Sequence, residues 1–268
     1  MIIDCFIFYN ELDLLEYRLN ILNNIIDFFI IVESTKTFTG NDKPLFFNDN
    51  KFNHKFNLFY HKIIHVIVTD FIIPDISKNQ QWINEKNQRN YINNGINSLN
   101  QKIKISDNDL IIISDIDEIP DPKTISFIKN FKLPVTIASL GQDLYYYNLK
   151  CKNKLRWNRA KILSYLFYKK FINSKPNICR IINPKNCISK GGWHLSYFGD
   201  SNFIQNKIIN FSHQEVNKSE FINNDNIINK IINGKDLFNR SNQNFDIIDI
   251  NDNKYLPPLY NIFLSKFL

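Results

Sequence analysis

The stretch Leu110-Ile111-Ile112-Ile113-Ser114-Asp115-Ile116-Asp117-Glu118-Ile119-Pro120 restricts this chain more than any other. A leucine and three β-branched isoleucines in a row lead into three carboxylates and a proline. A run without alternation reads as a strand buried on both faces, the kind found at the centre of a parallel sheet. In open α/β sheets, ligands sit beyond the carboxyl ends of such strands. Carboxylates one residue apart at that place, Asp115 and Asp117, can offer hard oxygen ligands to a divalent cation that carries a diphosphate. The Asp-x-Asp spacing is a weak signal by itself, and the chain holds a second copy in Asp107-Asn108-Asp109. That copy precedes the strand, in a Ser-Asp-Asn-Asp sequence that reads as a turn.

The flanking pattern supports an α/β fold. Residues 2–9 read as a first strand. Asn10 is placed to cap a helix with Glu11 and Asp13 in its first turn, where negative charge suits the dipole. Leu12, Leu15, Leu19 and Leu22 give that helix a core stripe. Residues 28–32 read as a second buried strand ending in Glu33-Ser34-Thr35, and residues 62–69 as a third, so the chain opens like a nucleotide-binding α/β unit. Residues 37–44 read as a loop at the same sheet edge as the acidic motif. One helix is predicted over 81–99, carrying Glu85 and Arg89 one turn apart. Another starts at Asp121-Pro122, with Asp as cap and Pro at the first position.

Later strands are predicted at 135–140, 144–149 and 178–182, a turn at Gly191-Gly192-Trp193-His194, and helices at 202–210 and 226–232, the last closed by Gly234. Arg156-Trp157-Asn158-Arg159 sets an aromatic ring among polar residues, a composition that can floor a sugar site. The expected architecture is a Rossmann-like, mostly parallel central sheet flanked by helices.

A chain of 268 residues can bury a sizeable core and reads as one domain, 1–268. The net charge of +7 is spread along the sequence without a basic stripe, so no nucleic acid is expected as a partner. Cys5, Cys151, Cys179 and Cys187 show neither CxxC nor zinc spacing and read as free thiols of a reducing compartment. Asp4 interrupts the first apolar stretch, which argues against a signal peptide. No apolar run reaches the ~18 residues of a membrane span. The expectation is a soluble, cytoplasmic protein.

Several stretches together resemble glycosyltransferase family 17, the β-1,4-mannosyl-glycoprotein 4-β-N-acetylglucosaminyltransferases, whose animal members add bisecting GlcNAc to N-glycans. They are Phe8-Tyr9-Asn10-Glu11-Leu12-Asp13-Leu14-Leu15-Glu16, Glu33-Ser34-Thr35, Thr37-Phe38-Thr39-Gly40, Lys43-Pro44-Leu45 and Gln88-Arg89-Asn90. The series continues with Ser114-Asp115-Ile116-Asp117-Glu118-Ile119-Pro120, Gly192-Trp193-His194-Leu195-Ser196 and Phe211-Ser212-His213. The resemblance implies a GT-A fold, UDP-GlcNAc as donor, a glycan acceptor, Mn²⁺ (or Mg²⁺) and inversion at the anomeric carbon. Residues 1–121 would form the nucleotide-binding half and 122–268 the acceptor-binding half. The animal enzymes carry a membrane anchor and stem, whereas this sequence begins at the catalytic region, so its acceptor need not be an N-glycan.

On this reading Asp117 is the first choice of metal ligand, with Asp115 touching ribose or reaching the metal through water. His194 and then His213 are the candidates for a late histidine ligand. Tyr9, Asn10, Glu33 and Arg89 are expected at the nucleotide, and Lys207 or Arg240 at phosphate. An inverting transfer needs a general base, for which Asp143, Glu215 and Glu118 are the candidates. The competing readings are a related transferase moving another nucleotide sugar onto a non-protein glycan, and a carbohydrate-binding module without turnover.

Overall fold

A computed structural model describes all 268 residues. Its strands are β1 (Ile2–Phe8), β2 (Phe28–Ser34), β3 (Ile63–Val68), β4 (Leu110–Asp115), β5 (Glu118–Pro120), β6 (Ile137–Tyr146), β7 (Cys151–Trp157), β8 (Lys161–Ser164), β9 (Cys187–Ser196) and β10 (Phe245–Ile247). They make one mixed sheet in the order β10-β7-β6-β8-β4-β1-β2-β3, with β9 pairing both β6 and β5.

The first half follows the sequence. β3, β2, β1 and β4 are parallel neighbours, and their carboxyl ends meet, with Ile7 opposite Asp115 and Phe8 opposite Glu33. Ile111, Ile112 and Ile113 of β4 are fully buried, each worth about 1.5–3 kcal/mol of burial. Two apolar layers explain the missing alternation. Phe6, Phe29, Ile31 and Ile112 pack on one face with the helix Leu12–Leu22, and Ile3, Cys5, Ile30 and Ile111 on the other with the helix Ile92–Lys102.

The second half corrects the mostly parallel expectation. β8 inserts antiparallel between β4 and β6, and β7 and β10 run antiparallel beyond it. A strand of four residues gives no periodicity to read.

Other elements also differ from their predicted bounds. The helix expected over 81–99 is two, Gln81–Asn90 and Ile92–Lys102, bent at Tyr91. The bend lets the second lie against β2 and β3 at Gly95, where an added Cβ would meet Ile30 Cγ2 at 2.4 Å. The two strands expected at 135–149 are one, β6, closed by Tyr147 in the left-handed region at φ 65°. Residues 178–182 are not a strand: Pro176–Arg180 is a 3-10 turn. The Gly191–His194 stretch lies inside β9 and is no turn.

Asn10 does not cap the first helix; Glu11 holds the N-cap position without a side-chain capping bond, its carboxylate instead accepting from the Tyr9 and Asn10 backbone N–H groups at 3.2 and 3.1 Å. Asp121 caps Pro122–Asn130 as read, accepting from the Lys123 N–H at 2.8 Å. No helix is long and apolar enough to cross a membrane.

Candidate functional site

A cleft of about 960 Å³ opens where β1, β2 and β4 end. One side is made by the ends of β1 and β2 and by the helix Gln81–Asn90, whose Gln88 amide donates to the carbonyls of Phe8 (3.1 Å) and Val32 (2.8 Å). The other side is made by β7, β9 and the helix Ser201–Asn210.

Asp117 lies on the cleft floor, buried. Its Oδ1 is 3.5 Å from His194 Nε2 and its Oδ2 accepts from Lys207 Nζ at 3.0 Å. Burial pushes its carboxyl up, but Lys207 and then His194 more than reverse that and hold it well below the usual carboxylate range. Lys207 is also 3.2 Å from Glu11, and these two carboxylates keep its ammonium charged against burial.

The closeness of Asp117 and His194 is built by backbone. β5 pairs antiparallel with β9, placing Glu118 opposite His194. Gly192 (φ +131°) permits that approach, and Gly191 permits the pairing of β9 with β6. A Cβ on Gly192 would lie 2.0 Å from the Ile119 carbonyl oxygen, and one on Gly191 would lie 2.6 Å from the Gly141 nitrogen.

Asp115 is clamped by Arg89 (3.0 Å) and Arg180 (3.1 Å). Burial raises its pKa; Arg180 and then Arg89 overcome that and lower it. Arg180 also holds Glu118 at 2.6 Å. Beneath the acidic loop lies Arg18, fully buried. It pairs with the equally buried Asp4 at 2.6 Å and donates to the carbonyls of Asp115 (2.8 Å), Ile116 (3.1 Å) and Glu118 (3.2 Å). Three carbonyls converging on one guanidinium fix the loop's path.

Not every expected residue reaches the cleft. Tyr9 does, its hydroxyl donating to Asn206 Oδ1 at 2.8 Å; burial, then Glu11, raises its pKa to about 12. Asn10 and Glu33 do not line it. Glu33 is fully buried and serves the fold, accepting from the Phe47 N–H at 3.0 Å and lying 3.1 Å from His65 Nε2.

Asp143 is also outside. In β6, Leu144 and Tyr146 point into the cleft, so by the two-residue period Asp143 points away, where Lys152 pairs with it at 2.5 Å. Glu118 lines the floor, with Arg180, the Trp157 indole and the Asp115 N–H on its oxygens. Glu215 is exposed on the lining, 2.6 Å from His213 Nδ1.

Arg240 also lines the cleft, donating to the Tyr146 hydroxyl at 2.9 Å. The Trp157 ring is 4.6 Å from that of His194, beside Asp117. Arg180 escaped the sequence reading because a lone arginine between isoleucines and a cysteine carries no pattern.

Buried Lys161, on β8, donates to the carbonyls of Asn158 (2.6 Å) and Arg159 (3.1 Å). Burial, then Arg180, pulls its pKa down to about 8. Unfolded lysine keeps its proton to about pH 10.4. Between about pH 8 and 10 the unfolded chain therefore binds more protons, and the folded state gains stability as pH rises. Urea unfolding should show the wild type gaining on Lys161→Met between pH 7 and pH 10; a constant difference would refute the depressed pKa.

No group of three or more His, Cys, Asp and Glu side chains is arranged around a common metal position. Asp117 and His194 nonetheless fit a divalent cation as a two-ligand set. Their donor atoms, 3.5 Å apart, can share one ion at ~2.1–2.2 Å each, with a bound diphosphate completing the shell.

The model of glycosyltransferase family 17 matches residues 1–254. Two curated relatives, the human and rat β-1,4-mannosyl-glycoprotein 4-β-N-acetylglucosaminyltransferases, are each 31% identical over 121 residues, which is 45% of this chain. The match spans 22% of the length of those relatives. Among solved structures, a 4-diphosphocytidyl-2C-methyl-D-erythritol synthase superposes with a TM-score of 0.40 at 11% identity, over 75% of this chain and 94% of the other.

Proposed function

This chain belongs to glycosyltransferase family 17, and from that premise we propose that it is a GT-A-type, metal-dependent, inverting transferase of N-acetylglucosamine from UDP-GlcNAc to a glycan hydroxyl. The observation that carries the reading is Asp117 beside His194 on the floor of the cleft where the parallel strands end.

In this reading the nucleotide lies against the ends of β1 and β2, near Tyr9 and Gln88. Asp117 and His194 would hold Mn²⁺ or Mg²⁺, which supplies charge neutralisation to the departing diphosphate. Lys207, kept charged by Asp117 and Glu11, adds a fixed positive group on the same side. Trp157 offers a face on which a sugar ring can stack, and its N–H fixes the ring by donating to Glu118. Asp115, locked between two arginines, acts through shape and charge rather than as a free ligand. Of the three carboxylates considered as general base, Glu215 is the one that lines the cleft with free oxygen capacity, and it takes that role here.

The test is UDP or other nucleoside diphosphate release from a panel of nucleotide sugars with Mn²⁺. UDP-GlcNAc should be the one productive donor, and EDTA should stop release. Turnover of a different donor would move the chain to the related transferase reading. Donor binding with no turnover would favour the non-catalytic module.

A further inference from the structure

We propose that the acceptor carries an anionic group, a phosphate or a carboxylate, received by Arg156 and Arg159 on the cleft wall beside Trp157. This rests on the transferase reading and narrows its acceptor.

The charge is less evenly spread than the whole sequence implies. Between Asp143 and Asp200 there are twelve lysines and arginines and no aspartate or glutamate. The chain as a whole carries only +7, so the remainder is net acidic. The basic stretch contains β7, β8 and the segment joining them, and that segment forms part of the cleft wall.

Four of these cations are firmly held by carboxylates. Arg180 is held by Asp115 and Glu118, Lys152 by Asp143, Lys154 by Asp246 and Lys169 by Asp107. Lysines exposed outside the cleft need no ligand, since a solvated charge keeps a protein soluble.

Arg156 and Arg159 differ. Both are exposed and both border the cleft, Arg156 from the position opposite Asp143 in β6 and Arg159 from the segment after β7. Arg159 has no carboxylate within salt-bridge range. The nearest to Arg156 is Asp143 at 3.9 Å, already held by Lys152 at 2.5 Å. Each spends one N–H on a backbone carbonyl, Arg156 on Ser189 at 2.7 Å and Arg159 on Arg180 at 3.0 Å. A guanidinium has five N–H donors, so most remain, in forks already oriented by those bonds. Such forks suit the paired oxygens of phosphate and carboxylate.

The donor's own phosphates do not need them. Lys207, Asp117 and His194 serve that end of the cleft, whereas Arg156 and Arg159 stand beside Trp157 in the chain, the ring offered to a sugar. The depressed pKa of Lys161, to which Arg180 and Arg159 both contribute after burial, agrees with a local surplus of positive charge.

The experiment uses the full chain with UDP-GlcNAc and Mn²⁺ and compares four acceptors. These are a neutral β-linked oligosaccharide, the same with a phosphate monoester, the same with a terminal uronic acid, and a sugar on a lipid-type pyrophosphate. At least one charged acceptor should exceed the neutral one in kcat/KM by roughly tenfold or more, and which one does identifies the source of the anion. The preference should shrink as NaCl rises from about 50 to about 300 mM. Arg156→Gln/Arg159→Gln should abolish it, and the double lysine variant should restore part; circular dichroism confirms that each is folded.

Equal use of neutral and charged acceptors, or a preference that survives in the double glutamine variant, overturns the proposal. Hydrolysis of UDP-GlcNAc without transfer to any charged acceptor overturns it while leaving the enzyme reading in place. Failure to release UDP from any donor defeats both. Arginine-dependent binding of a DNA duplex or of phosphatidylserine vesicles, with no acceptor preference, would reassign the patch to a macromolecular surface.

Discussion

Asp117→Asn is expected to reduce transfer by roughly 10³-fold or more while leaving the chain folded. The substitution keeps the shape of the side chain and removes its charge. On the proposed metal reading it therefore takes one of two ligands from the cation, and it takes one of two carboxylates from Lys207, whose bond to Glu11 at 3.2 Å remains. Loss of a single preorganised charge at the leaving group costs a transferase dearly, because stabilisation there is made mainly in the transition state. The stability loss should be about 1–3 kcal/mol, in the ordinary range for one buried polar change. UDP release, Mn²⁺ titration and thermal unfolding measured on one preparation check all parts. Turnover within tenfold of wild type, with Mn²⁺ affinity unchanged, would remove Asp117 from the metal site.

The second large effect concerns a residue that no substrate touches. Arg18→Met should destabilise the protein by about 3–5 kcal/mol, since it strands Asp4 as an unpaired buried carboxylate. Asp4→Asn/Arg18→Met removes the stranded charge and should recover much of that loss. It cannot restore the donors to the carbonyls of Asp115, Ile116 and Glu118. The double variant should thus be stable yet slow, with kcat down by roughly 10–100-fold, in line with the sensitivity of catalysis to small displacements. A double variant that regains activity in step with stability would show Arg18 to be a structural residue only. Mn²⁺ affinity gives an independent readout, because a loosened loop moves Asp117 whether or not turnover is measured.

Arg18 also shows what the sequence reveals and what it hides. It lies on the same helix face as Leu14, Leu15 and Leu22, and Asp4 lies inside an apolar strand. Two opposite charges on buried positions of neighbouring elements were a readable sign of a buried ion pair. The parallel half was legible because each of its strands is long enough to carry a pattern, and because Asp121-Pro122 and the isoleucine run are strong local signals.

β8 was not legible, being four residues long, and missing it made the sheet seem more parallel than it is. Asp143 and Leu144 are neighbours in sequence, and which of them faces the cleft follows from the register of β6 with β9, which no single strand encodes. Glu33 stays out of the cleft lining for a related reason. Its partners, the Phe47 and Asn48 N–H groups and His65, come from segments brought together only by the fold.

Two hydrogens on Cα, where any other residue carries a side chain, set how far apart Asp117 and His194 stand. A methyl at position 192 would wedge β5 off β9 and pull the carboxylate from the imidazole without altering either. Reactivity in this cleft is thus governed partly by vacant volume. If the proposed cation site is right, damage there would read in an assay as weakened cation uptake, though every reactive side chain were still in place.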